Sequence, residues 1–195
     1  MRHLNRKLMM GLFFSLLLIV SGCGGNGLEV PSDATTVENF TFTNQNGEEY
    51  GLEQLKGKVW VADFIFTNCD TVCPPLTANM SKLQDMAKEK GLEVEFVSFS
   101  VDPENDTPEK LLTFGEQFDA DFTNWNFLTG YSQSDIEAFA PKSFAAIVQK
   151  PKSDDQVIHG LRFYIVNQDG IVVSSYNGLE NPPYEQMLDD ISKLQ

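Results

Sequence analysis

The stretch Lys58-Val59-Trp60-Val61-Ala62-Asp63-Phe64-Ile65-Phe66 narrows the folding choices of this chain more than any other. It is rich in β-branched and aromatic residues and lacks the in-and-out alternation of a half-exposed strand. It therefore predicts a central strand covered on both faces, which calls for a layered α/β arrangement. Asp63 interrupts it, and a carboxylate there needs a partner or a function, because burying an unpaired charge is costly. Two thiols follow at once, in Phe66-Thr67-Asn68-Cys69-Asp70-Thr71-Val72-Cys73-Pro74. Pro74 suits the start of a helix, where its missing N–H is not needed. Leu76, Met80, Leu83 and Ala87 then recur at helical spacing until Gly91 supplies a stop.

The elements around this unit alternate in type. Phe40–Thr43 and Glu48–Tyr50, separated by Asn44-Gln45-Asn46-Gly47, predict a hairpin, and Leu52–Leu55 a short turn. Glu93–Val101 reads as a second strand, and Thr107-Pro108-Glu109 opens a helix through Phe118. Trp125–Leu128 predicts a strand, Ser132–Ala140 a helix capped by Ser132, and Phe144–Gln149 another strand. After a polar loop over Lys150–Gln156, Arg162–Val166 and Ile171–Tyr176 form a late hairpin, and Pro183–Leu194 a closing helix. Strands alternating with helices imply a parallel portion of sheet with crossovers. A central strand feeding two thiols at a helix start, with a late antiparallel hairpin, resembles the thioredoxin fold: α/β, a central mixed sheet flanked by helices, with an N-terminal β-hairpin added.

The N-terminus reads as a targeting segment. Arg2, Arg6 and Lys7 precede an apolar run over Leu8–Val20, too short to span the hydrocarbon core comfortably. Val20-Ser21-Gly22-Cys23 resembles a bacterial lipobox, which implies a lipoprotein signal peptide over 1–22 and Cys23 as the lipidated first residue of the mature chain. Lipid there would hold the protein at the extracytoplasmic face of the cell membrane without crossing it. Residues 23–37, small and polar, read as a tether, leaving 38–195 as one globular domain. Cleavage after residue 22 removes three basic and no acidic residues, leaving 11 Lys and Arg against 28 Asp and Glu. So acidic a chain is repelled by nucleic acid and suits cationic partners, metal ions among them. His3 leaves with the leader, so His159 is the only histidine of the mature chain.

Three uses of Cys69 and Cys73 stand open on the residues alone. A disulfide staple would close a very short loop worth roughly 2 kcal/mol, a small gain for a domain of this size. A redox pair is favoured by the helix N-terminus, whose dipole stabilises thiolate. A metal site needs a third donor, and His159 lies just before the strand Phe163–Val166, where thioredoxin-like chains place a proline facing their thiols. Two thiolates and one imidazole make a soft donor set suited to copper(I), and able to hold copper(II) if water or a carboxylate completes it. Structural zinc prefers four protein ligands.

Three segments in order then converge on a family: Phe66-Thr67-Asn68-Cys69-x-x-x-Cys73-Pro74, Ser100-Val101-Asp102-Pro103-Glu104-x-Asp106-Thr107-Pro108, and His159 with Phe163-Tyr164 and Asp169-Gly170. Over about residues 38–195 the chain closely resembles the Sco (SenC) family. The resemblance implies a membrane-tethered, copper-binding, thioredoxin-like protein that delivers copper to, or matures, the CuA centre of cytochrome c oxidase subunit II. It implies Cys69, Cys73 and His159 as copper ligands, with Cys69 and Cys73 also a redox-active pair. Asp63 resembles an acidic position of the family that orients a ligand or tunes the thiols, beside the plainer reading of a locally paired strand carboxylate. Asp102-Pro103 and Thr107-Pro108 read as loop and cap architecture. The alternative function is a thiol–disulfide oxidoreductase that keeps the CuA cysteines reduced. Expected partners are subunit II, a thiol reductant or a copper donor protein, and the membrane through the lipid. Eukaryotic members carry a transmembrane helix where this chain carries the lipobox.

Overall fold

The computed structural model describes residues 28–69, 71–152 and 156–195. The expected leader over 1–22, the expected lipidation residue Cys23 and the first part of the expected tether lie outside the described residues, as do three positions of the polar loop at 153–155. Strands β1 (Thr41–Asn44) and β2 (Glu49–Gly51) form the N-terminal hairpin, and the one-turn helix α1 (Leu52–Leu55) leads to β3 (Val59–Ile65). Helix α2 (Cys73–Glu89), β4 (Val94–Ser100), α3 (Pro108–Glu116), β5 (Trp125–Thr129) and α4 (Gln133–Phe144) follow in alternation. Two-residue strands β6 (Val148–Gln149) and β7 (Ile158–His159), then β8 (Arg162–Val166), β9 (Val172–Asn177) and α5 (Tyr184–Lys193), complete the chain.

Seven strands form one mixed sheet in the order β2-β1-β5-β4-β3-β8-β9. The centre, β3-β4-β5, is parallel, and β8 closes antiparallel on β3. Every residue of β3 is buried, as its unalternating sequence predicts. Its two faces separate cleanly. Phe64 packs against Phe99, Phe144 and Tyr164 on the side covered by α4. Asp63 lies opposite Ser98 and one step from the Ala62–Tyr164 pair, on the other face, where Phe163 and Leu76 of α2 meet beside Gly178. This is the thioredoxin-like fold, and the N-terminal hairpin extends its sheet beyond β5 through Thr43–Thr129 and Asn44–Leu128.

Helix α2 buries Cys73, Leu76, Thr77, Met80, Leu83, Gln84 and Ala87, one face at helical spacing, and ends at Gly91 with φ +68°. Helix α4 departs from expectation. It runs through Pro141 to Phe144, so Phe144 is helical and only Val148–Gln149 is strand. Ile136, Phe139, Ala140, Ser143 and Phe144 all face the core, and that burial outweighs the hydrogen bond lost at the proline. The helix stops at Ala145, left-handed at φ 51°, with Ala145 N–H donating to Pro141 O and Ala146 N–H to Ala140 O. Ahead of the hairpin, Thr36 bridges to Ile171, Val37 is buried, and the Thr35 hydroxyl donates to Ser143 O. Among the described residues no helix is long and apolar enough to cross a membrane.

Candidate metal and thiol centre

Past the end of β3 the chain turns over the edge of the sheet and is pinned there. Thr67 donates to the Asp106 carboxylate twice, from its N–H at 3.2 Å and its hydroxyl at 2.6 Å. Ser100 Oγ donates to the same carboxylate at 2.5 Å. Two residues beyond Thr67 comes Cys69, and α2 begins at Cys73. The first amides of a helix have no partner within it, and here the Cys73 N–H donates to Cys69 Sγ at 3.4 Å. Both cysteines are buried and neither is in a disulfide.

His159 arrives from the other side. Its strand β7 pairs only with β6, outside the main sheet, with Val148 opposite His159 and Gln149 opposite Ile158. The ring stands edge-on to Phe66 at 5.7 Å between centroids. Nδ1 lies 3.0 Å from Gly160 O, and a carbonyl only accepts, so Nδ1 carries the proton. Nε2 is thereby turned toward the thiols, 3.5 Å from Cys73 Sγ. Residues 86 positions apart are thus brought together as the sequence predicts.

The two thiols sit in opposed electrostatic states. Burial works against a Cys69 thiolate, but hydrogen bonds from His159, the Cys73 and Thr71 backbone and the Cys73 thiol outweigh it and bring its pKa down to about 5. Burial pushes the Cys73 thiol up, and the charges of Cys69 and Asp63 add to the effect. At neutral pH the resting pair is therefore a Cys69 thiolate beside a Cys73 thiol. With Nδ1 carrying the proton, the Cys73 S–H donates to the Nε2 lone pair. The three donors close on one another through hydrogen bonds, and among the described residues no three His, Cys, Asp or Glu side chains are already spread around one point to hold an ion. The chemistry of the set, two sulfurs and one imidazole nitrogen, fits a soft metal such as copper.

Asp63 is fully buried, and neither carboxyl oxygen has a hydrogen-bond partner. Burial raises its pKa to about 7, against the opposing pull of Ser98 and of His159. Ser98 lies across the strand pair, close enough to soften the shift but short of hydrogen-bond geometry, its Oγ accepting instead from Trp125 Nε1 at 2.9 Å. The local pairing considered for Asp63 is absent; its charge acts on Cys73 and His159 from beneath, without touching either by hydrogen bond.

Cys69 lines two grooves. One runs along α3 past Pro74, Lys110 and Phe114. The other runs between Phe66, Val72, Val157, Ile158, His159 and Leu161, and among the described residues its lining includes no Asp, Glu, Lys or Arg. Thr107 caps α3 as predicted, its Oγ1 accepting from the Lys110 N–H. Asp106 and Thr67 are the supporting residues that the sequence reading passed over. The available signal was an acidic residue just after an apolar strand, beside a Ser and a Thr able to reach it.

The model of the family described as SCO1/SenC matches residues 29–195. A SCO1/SenC family lipoprotein from Bacillus anthracis str. Ames is 53% identical, with a TM-score of 0.80 over 84% of this chain and 98% of that one. BsSco, described as a member of the Sco family of cytochrome c oxidase assembly proteins in which a disulfide switch has been identified, is 53% identical, with a TM-score of 0.78 over 85% and 97%. Bradyrhizobium japonicum ScoI, solved with copper bound, is 27% identical, with a TM-score of 0.67 over 82% and 99%.

Proposed function

Because this chain belongs to the SCO1/SenC family, we propose that it is a copper-binding assembly factor, anchored by lipid on Cys23 at the outer face of a bacterial cell membrane, that matures the CuA centre of cytochrome c oxidase subunit II. The observation that carries this reading is the approach of His159 Nε2 to within 3.5 Å of Cys73 Sγ. It adds an imidazole nitrogen to the two sulfurs, which makes the donor set suited to a soft metal ion. The relative solved with copper bound supports the cargo, and the relative described as an oxidase assembly protein supports the destination.

Cys69, already a thiolate at neutral pH, supplies the first donor. Cys73 supplies the second once its proton leaves, so uptake of copper releases a proton. The hydrogen bond of Nδ1 to Gly160 holds the ring so that Nε2 is the third. Three donors leave copper open to incoming Cys and His ligands of an acceptor, as a delivery protein requires. Joining Cys69 and Cys73 as a disulfide removes two donors together, so oxidation unloads the site, consistent with the switch described for BsSco. A copper donor protein and a thiol reductant are the partners such a cycle calls for. The B. anthracis relative, described as a lipoprotein, supports the anchor, and Cys23→Ser should move the protein out of the membrane fraction.

The test is His159→Ala in the reduced protein. The variant should lose copper(II) far faster than the wild type while Cys69 and Cys73 still exchange with a small disulfide, more slowly at neutral pH because the Cys69 thiolate loses its hydrogen bond from His159. Unchanged retention of copper(II) would remove His159 from the site, and full oxidase assembly in cells carrying the variant would remove copper transfer from the essential step.

A further inference from the structure

Two buried carboxylates sit in the loop joining β4 to α3, and each ties down a different half of the donor set. Asp106, 1% exposed, grips the thiol side through Thr67, two residues before Cys69. Asp102, fully buried, accepts from Lys150 Nζ at 2.7 Å and from Asn105 Nδ2 at 2.8 Å. Lys150 directly follows β6, the strand against which His159 is paired. Its Nζ also reaches Glu104 at 3.2 Å, and its N–H donates to Glu137 Oε1 of α4 at 2.8 Å. Ser100 fastens the two carboxylates together, donating to Asp106 through its hydroxyl while accepting from the Asp102 N–H at 3.1 Å.

We infer that the Asp102–Asp106 loop is a two-armed clamp that sets the separation of His159 from the thiols, and that Lys150 is the positioning residue of the histidine arm. The β6–β7 pair is two residues long on each side and stands apart from the main sheet, so its own ladder cannot fix where the imidazole sits. An ion pair with one member wholly buried and the other only 17% exposed can hold a hairpin in place where a surface pair would not. The arms are separable. Among the described residues Lys150 makes no hydrogen bond or ion pair with the thiol loop, and Asp106 none with the hairpin, while Gln156 of the loop between β6 and β7 donates to Asn68 O at 3.4 Å. Loss of the lysine arm therefore moves His159 while the Asp106 tie still holds the thiol loop. The inference rests on the copper-site reading only for what the hairpin's position is worth.

The experiment compares Lys150→Met, Lys150→Arg and Lys150→Met/Asp102→Asn with the wild type in the reduced, full-length protein. Three readouts are taken: the visible absorption of bound copper(II), its release rate to a chelator, and the rate of thiol exchange with oxidised glutathione. Lys150→Met should release copper(II) roughly tenfold or more faster, in the range seen when a ligand's supporting partner is removed. Its thiolate-to-copper bands should shift, with the thiols still able to exchange with oxidised glutathione. Lys150→Arg should restore retention and spectrum. The double variant relieves the orphaned Asp102 and should recover resistance to urea, but not copper retention, which separates positioning from stability. Wild-type spectrum and release rate in Lys150→Met would overturn the clamp, as would recovery of copper retention along with stability in the double variant. Failure of the wild type to bind copper(II) would count against the proposed function and, with it, the clamp.

Discussion

The thiol loop and the histidine hairpin face each other across a few ångströms and are built in different ways. Cys69 and Cys73 sit where the central strand β3 becomes α2, so the sheet, the helix and the Asp106 tie all fix them. His159 rides on a pair of two-residue strands outside the sheet, aimed by one hydrogen bond to Gly160 and one ring contact with Phe66. The thiols belong to the fold, and the imidazole is appended to it. A site made this way keeps both thiols in place when the histidine arm is disturbed, and loses metal retention first.

The largest break should come on the thiol side. Cys73→Ser removes a metal donor and the partner of any disulfide, and ligand loss of about 3 kcal/mol corresponds to roughly a hundredfold or more in affinity. Isothermal titration with copper under reducing conditions would measure it, and the variant should also be unable to form a Cys69–Cys73 disulfide. His159→Ala is next: copper retention falls steeply, while Cys69 and Cys73 still exchange with oxidised glutathione, more slowly at neutral pH because the Cys69 thiolate has lost its hydrogen bond from His159.

Asp63 sharpens the comparison from below. Its pKa is raised in the folded protein, to about 7, so its favourable contribution is full below the unfolded value near 4 and is lost as pH rises through 7. Asp63→Asn should therefore match the wild type near pH 4 and become more stable by roughly 1–4 kcal/mol above pH 7, as read by urea unfolding of the metal-free protein. An advantage over the wild type no larger at pH 8 than at pH 4 would mean that the carboxyl is satisfied in solution. The smallest expected effect is proton release. Because Cys73 keeps its proton at neutral pH, copper(II) uptake at pH 7 should liberate it, and Cys73→Ser should liberate about one proton fewer than the wild type, measurable in buffers of different ionisation enthalpy.

Much of this site was legible in the residues. The unalternating run of β3, Pro74 at a helix start and a single mature histidine were enough to bring Cys69, Cys73 and His159 together on paper, because strong periodicity and scarce residue types survive without coordinates. Other features were not legible. Pro141 reads as a helix end by local rules, yet the buried face from Ile136 to Phe144 carries the helix through it. Strands of two residues have no period, so the β6–β7 pair left no signature. The ties from Asp106 to Thr67 and from Asp102 to Lys150 span 39 and 48 residues between side chains that each look like ordinary loop polarity. Asp63 was visible as an anomaly in its strand; that neither oxygen finds a partner could come only from the packing around it.

The central claim is that two thiols of the fold and one appended imidazole act as a single copper site. Its most direct measurement is the visible absorption spectrum of the reduced protein with one equivalent of copper(II), before and after the thiols are oxidised, alongside His159→Ala. The account predicts intense thiolate-to-copper bands that vanish when Cys69 and Cys73 form a disulfide, and that are altered and short-lived in the variant. Bands that persist after oxidation, or a variant whose spectrum and lifetime match the wild type, would contradict it.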